Sequence, residues 1–282
     1  SLGTGAFMGV GAYSCYKLAT VFPEVHILIW VVVSGFFSAA VGIVFGLPSL
    51  RIKGFYLAVA TLAAQFFLSW CFIRVPWLVN YNVSNAIEVQ RRSLFGVPVT
   101  GPEATPQVRY IIVLVIVVVM AWLASNLVRG RIGRMWMAVR DMDIAAELMG
   151  IRLLNTKLLA FAVSSFYCGV AGALLVFLYY GSAEATAFSI NQSFAILSMV
   201  IIGGLGSILG SFLGAALIFT LPLLLPPLLG SLGLSIQAAT AEHISFMVIG
   251  ALIVFFLIVE PHGLARLWQI AKQKLRVWPY PY

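Results

Sequence analysis

Fifty-seven consecutive residues, from Ala185 to Ala241, contain no Asp, Glu, Lys or Arg. Charge is also absent between Glu24 and Arg51, Lys53 and Arg74, Arg109 and Arg129, Lys157 and Glu184, and Glu242 and Glu260. About 20 apolar residues in a helix cross the ~30 Å hydrocarbon layer of a bilayer. Each gap therefore reaches or approaches the length of a membrane span. Charged residues make up 9% of the chain and hydrophobic ones 62%, against roughly 25% charged in soluble domains. A soluble enzyme, a nucleic-acid binder and a secreted disulfide scaffold are excluded. The fold class is all-α: a polytopic transmembrane helical bundle.

The net charge of +8 is not gathered on one face, because its basic residues sit at the ends of apolar runs, where they set orientation. Cys15, Cys71 and Cys168 are scattered in apolar stretches without Cys-x-x-Cys spacing. His26, His243 and His262 form no His-x-x-x-His pair. No metal site and no catalytic residue is expected. The chain begins at Ser1 without Met and runs directly into a Gly-rich apolar segment, so we expect a fragment lacking one or more N-terminal helices.

Spans are expected at Leu2–Phe22, Val25–Leu47, Phe55–Ile73, Tyr110–Val128, Leu158–Tyr180 and Ile244–Val259. A longer stretch, Asn191–Leu225, is interrupted at Gly203-Gly204-Leu205-Gly206-Ser207. Residues 80–107 hold Gly96, Pro98, Gly101, Pro102 and Pro106 and read as an extramembrane loop. The alternation Ile87-Glu88-Val89-Gln90 suggests a small hairpin in it. Placing the charged island 129–157 in the cytoplasm puts Arg51, Lys53 and the tail after Glu260 there too. That side then holds twelve basic residues and the other five, the asymmetry that orients membrane proteins.

Three features could carry function. In the island, Met135, Ala138, Val139, Met142, Ala145, Ala146 and Met149 share one face of a helix that Gly150 ends, with Arg140, Asp143 and Glu147 opposite. Such a helix can lie in the lipid interface, connect spans in water, or dock into a groove on a soluble partner. Asp141 and Asp143 weigh against lipid, since anionic headgroups repel carboxylates. The glycines around Gly206 serve close helix packing, a broken helix, or both. Thr61, Gln65, Ser69, Ser164, Ser165 and Ser198 fall inside spans, where they either bond between helices or line a solute path. No carboxylate sits mid-span for an ion relay, and no Gly-Lys-Ser/Thr phosphate loop occurs. A membrane hydrolase built on Ser207 and His243 lacks a Gly-x-Ser-x-Gly motif, and the topology puts the two at opposite membrane faces.

Several stretches, in order along nearly the whole chain, together resemble the LivM-type permease subunits of bacterial ABC importers for branched-chain amino acids, a family with urea and amide relatives. They are Ser1-Leu-Gly-Thr-Gly-Ala-Phe7 with its continuation to Tyr13, Leu50-Arg-Ile-Lys-Gly-Phe-Tyr-Leu-Ala-Val-Ala-Thr-Leu62, Gly133 to Ile151 with Lys157-Leu-Leu-Ala-Phe161, Gly203-Gly-Leu-Gly-Ser207, and Pro261 with Gly263-Leu264. The family often has His where Thr4 stands, a Thr-Gly-Gly segment in the outer loop, and Arg and Gln where Glu260 and His262 stand.

The resemblance implies a single permease domain over 1–282, with 129–157 as a cytoplasmic coupling loop and 80–107 as an extracytoplasmic one, in the bacterial inner membrane. It implies a second, LivH-like permease, two ATPase subunits that use ATP and Mg, and an extracytoplasmic solute-binding protein. No cofactor would bind this chain itself. Arg140, Asp141, Asp143, Ala145, Ala146, Glu147 and Gly150 would then couple to the ATPase. Gly3, Gly5, Gly203, Gly204, Gly206 and Ser207 would break helices for gating, and Thr4, Thr61 and Gln65 would line the path. A self-powered secondary carrier, or a family importer of amides or aromatic carboxylates, is the alternative.

Overall fold

Amide groups buried in lipid must bond within their own segment, and this chain meets the requirement with helix almost throughout. The computed structural model describes residues 1–49, 55–82, 84, 86–94, 97–101, 104–231, 238–260 and 263–277. Arg51, Lys53, Pro261 and His262, which the sequence argument used, lie outside the described residues, as do Gly96 and Pro102 of the loop. Two compact units emerge, Ser1–Ser193 and Phe194–Tyr282.

The first unit holds α1 (Thr4–Val21), α2 (Ile27–Ser49), α3 (Phe55–Arg74), α4 (Pro106–Arg129), α5 (Arg131–Asp141), α6 (Asp143–Leu148) and α7 (Leu153–Leu174), which a wider π turn extends through Tyr180. A 3-10 turn, Ala185–Phe188, leads into α8 (Ile190–Gly203). The second unit holds the rest of α8, then α9 (Ile208–Ser231), α10 (Ala238–Val259) and α11 (Gly263–Val277). Among the described residues, five helical stretches are long and apolar enough to cross a membrane: Ile27–Pro48, Pro106–Arg129, Leu153–Tyr180, Ala185–Gly203 and Ile208–Pro227.

The core of the first unit is α1 packed against α2 and α7. Most of α1 is buried, which its many small residues permit. Gly11 touches Gly169 so closely that an added Cβ would stand 2.1 Å from the Gly169 carbonyl oxygen. At Gly172 the same addition would come within 2.0 Å of the Met8 carbonyl. Between helices packed inside a bilayer there is no hydrophobic effect to exploit, so such close backbone approach is how contact energy accumulates. The Ser38 hydroxyl donates to the Phe7 carbonyl at 2.9 Å across the α1–α2 contact. Tyr13 stacks on Phe72 at 4.5 Å.

The loop after α3 is tied down rather than free. Arg92 donates to the carbonyls of Ala19 and Pro23, where α1 ends. Lys17 donates to the Trp77 carbonyl at 2.7 Å and to Asn80 Oδ1, and lies 4.3 Å from the centre of the Trp77 ring. The expected hairpin sits elsewhere than the alternation suggested. Its strands are β2 (Ser93–Leu94) and β3 (Val97–Pro98), while β1 (Ile87–Glu88) pairs antiparallel with the distant β4 (Ser182–Ala183). Gly181, at φ +74, turns the chain at the end of α7, and its carbonyl accepts from Val89 N–H at 3.0 Å. A two-residue alternation marks a strand but carries nothing about its partner.

Overpacking a site where the neighbour is backbone cannot be relieved by rotamer changes. Gly172→Val is expected to destabilise the protein by about 3 kcal/mol or more. Gly250→Ala, whose methyl meets open space, should change stability by less than about 1 kcal/mol. Thermal unfolding in detergent would read both.

Candidate functional site

The backbone start of α1 is the first place where chemistry gathers. A helix leaves its first N–H groups without partners, and here side chains from other segments supply them. Ala6 N–H donates to Gln65 Oε1 at 2.8 Å, Gly5 N–H to Ser193 Oγ at 2.8 Å, and Leu2 N–H to Thr61 Oγ1 at 3.1 Å. The Gln65 amide is fully used. Its oxygen also accepts from the Ser193 hydroxyl at 3.2 Å, and its nitrogen donates to the Phe188 carbonyl at 2.8 Å and to Ser69 Oγ at 3.2 Å. That is four bonds for an amide that can make four. Gly5 is required by proximity, since a Cβ there would stand 2.8 Å from the Ser189 carbonyl. So α1 and α8 both begin beside one buried amide.

Two of the residues expected along a path take part in this arrangement. Gln65 is 1% exposed and Thr61 3%, and their polar atoms are engaged in holding α1. In this conformation they are interhelical bonding groups, one of the two roles open to them. Thr4 bonds locally, its hydroxyl to the Ser1 carbonyl at 3.1 Å. Ser164 and Ser198 each donate to a carbonyl of their own helix. Ser193 belongs to the centre of the cluster and was missed, because a serine three residues into an apolar helix has no sequence signature of its own. Ser34 and Ser38, both fully buried, were missed for the same reason. The Tyr13 hydroxyl and Ser165 Oγ are buried and have no hydrogen-bond partner among the described residues.

The second place is the island between α4 and α7. The single amphipathic helix expected there is two helices, broken at Met142 (φ −150, ψ 96). Asp143 then opens α6, where a carboxylate favours the positive helix end. The break divides the predicted face. Val139 and Ala146 are buried within this chain, whereas Met142 and Met149 of the same face are exposed, as are Ile144 and Leu148 outside it, Leu148 by 85%. Gly150 ends α6 at φ +85, and Ile151 N–H reaches back to the Ala146 carbonyl at 3.0 Å. Trp136 Nε1 donates to the Thr156 carbonyl at 3.1 Å and so fastens α5 to α7. Arg140 and Asp141 pair at 2.8 Å on the surface. An open groove of about 580 Å³ runs between Arg140, Asp141, Asp143, Leu148 and Lys157.

The third place lies in the second unit. The helix is indeed discontinuous at Gly203–Ser207, but each half is long enough to cross a membrane by itself. Gly204 (φ +112) and Gly206 (φ +81) make a turn between α8 and α9. Gly203 and Gly214 bring those helices together: a Cβ on Gly203 would stand 2.1 Å from the Gly210 carbonyl, and one on Gly214 1.9 Å from that of Met199. The turn abuts Gly263, just beyond the end of α10. It therefore joins two helical stretches, each of spanning length. Ser207 Oγ accepts from Gly210 N–H at 3.0 Å, which caps the start of α9.

Replacing Gln65 by Leu keeps the volume near and removes every bond. It leaves the Ala6 N–H and the Phe188 carbonyl buried without these partners, at about 1–3 kcal/mol each. Gln65→Leu should therefore lower the melting temperature clearly, and Ser164→Ala, on an exposed side chain, should leave it almost unchanged.

Comparison with known proteins fits this architecture. Residues 1–257 match the family described as branched-chain amino acid transport system / permease component. Two curated relatives are each 27% identical over 286 residues, a match that covers 93% of this chain. Both are called high-affinity branched-chain amino acid transport system permease protein LivM, one from Salmonella typhimurium (strain LT2) and one from Escherichia coli (strain K12). The chain spans 63% of the length of these relatives. No solved structure matches it significantly. With its apolar spans, the chain is a multi-pass membrane protein and belongs to the family of branched-chain amino acid transport system permease components.

Proposed function

We propose that this chain is one membrane-spanning half of an ATP-driven importer in the inner membrane, and that residues 1–282 act as one permease domain. Its partners are a second, LivH-like permease, two ATP-binding cassette subunits that use ATP and Mg, and an extracytoplasmic solute-binding protein. The substrate class is branched-chain or other hydrophobic amino acids, in keeping with the names of the relatives. The observation that carries the reading beyond family membership is the α5–α6 elbow. Exposed apolar side chains stand at its tip, charged ones flank it, and a hydrogen bond from Trp136 fastens its base to α7.

In the mechanism, the ATPase grips that tip. Ile144, Leu148 and Met149 enter its groove as helix-in-groove anchors, and Arg140, Asp141, Asp143 and Glu147 set the register. Ala145 and Gly150 keep the approach close, while Ala146 serves the inner contact. Motion of the elbow passes through Trp136 to α7, and from α7 across the glycine contacts to α1. Rigid-body tilting of packed helices then alternates access to a central path. Gly3 and Gly5, held against Thr61 and Ser189, mark the end of α1 that such tilting would release.

The test is co-purification. Arg140→Glu combined with Asp143→Arg, and separately Leu148→Asp, should each abolish recovery of the ATPase with the permease while monodispersity and melting temperature stay unchanged. Undiminished association in both variants would overturn the docking role of the elbow.

A further inference from the structure

The segment after α10 does not follow the pattern of the spans. Residues 263–277 contain Arg266, Lys272, Lys274 and Arg276 and no acidic residue. At 100° per residue, Leu264, Trp268, Ala271 and Leu275 fall on one side of α11, and Arg266, Gln269, Gln273 and Arg276 on the other. Lys272 and Lys274 border the apolar stripe along its two edges. Leu267 widens the stripe on one flank.

The stripe starts inside the protein and leaves it. Leu264 packs against the cluster of Met199, Ile202, Ile218 and Phe256, and Ala265 is buried. Gly263 takes φ +65 against Gly204, which sets the direction in which α11 departs. Arg266 pairs with Glu260 at 3.0 Å near this corner. Beyond it the same stripe is bare: Leu267, Trp268 and Leu275 are exposed, the last by 76%. A helix fixed at one end directly after the apolar helix α10, with a bare stripe containing Trp and cations along its borders, matches a bilayer surface. Tryptophan favours the headgroup level, and lysine stems can lie along apolar surface while their ammonium groups reach the phosphates.

We propose that α11 lies along the headgroup boundary and binds anionic phospholipid through Lys272, Lys274 and Arg276, with Leu267, Trp268 and Leu275 entering the acyl boundary. The charge complementarity selects anionic over zwitterionic lipid, because each cation near such a surface favours binding by roughly five-fold. The proposal rests on the membrane topology alone and stands or falls separately from the transported solute and the ATPase.

The experiment reconstitutes the intact chain into vesicles of brominated phosphatidylcholine with and without phosphatidylglycerol. The contribution of Trp268 is the difference in fluorescence between the wild type and Trp268→Phe. That contribution should be quenched by the brominated chains, more strongly with phosphatidylglycerol and less so at high salt. Lys272→Gln/Lys274→Gln/Arg276→Gln should lose the dependence on phosphatidylglycerol, a weakening on the order of a hundred-fold for three cations. Lys272→Arg/Lys274→Arg should keep it, which separates lost charge from misfolding. Equal quenching of the wild type in the two lipids would overturn the proposal. So would quenching by aqueous iodide in place of the brominated chains, or shielding of Trp268 that requires an added ATPase subunit.

Discussion

A helix that begins among other helices presents backbone N–H groups that water cannot reach, and everything around α1 depends on how those groups are satisfied. Gln65 and Thr61 reach them from α3, and Ser193 from α8. The same Gln65 amide holds the Phe188 carbonyl at the approach to α8. Thus one side chain fixes the starts of two helices relative to α3. The glycine contacts of α1 with α7 lie on the helix so positioned, and they tolerate no displacement that would force backbone into backbone.

The polar side chains of this bundle therefore serve structure before chemistry. Burial and full bonding turn Gln65 into an internal cap, and a fully satisfied buried network specifies one arrangement more sharply than apolar packing does. The ends of the bundle use charge for the same purpose. Arg92 binds carbonyls at the end of α1 and Lys17 binds the Trp77 carbonyl in the 3-10 turn Pro76–Val79, so the loop between α3 and α4 is anchored to α1. The tip of α6 and the stripe of α11 carry exposed apolar side chains beside charges, a pairing that suits an external counterpart.

Much of the architecture was legible in the chain. Runs such as 110–128 and 158–180 are apolar for as long as a bilayer is thick, and nothing but a helix satisfies their backbone there. Gly150 and the segment Gly203–Ser207 were legible as breaks because glycine tolerates the positive φ that Gly150, Gly204 and Gly206 adopt. The charged island and its amphipathic pattern were legible too. Its kink at Met142 was not, since helical periodicity over fifteen residues reads the same whether or not one residue in the middle is extended. Nor was the pairing of Ile87–Glu88 with Ser182–Ala183, which spans almost a hundred residues.

By itself, the order of apolar and charged residues determined that this chain spans a membrane many times and where it turns, because hydrophobic length and glycine spacing act locally along the chain. Tertiary structure alone decided the bonding partners of the polar groups. Which groups Gln65 bonds, whether Ala146 points outward or inward, and how closely the glycines of α8 and α9 approach depend on neighbours distant in sequence. Their hydrogen bonds and close contacts exist only once the helices have packed.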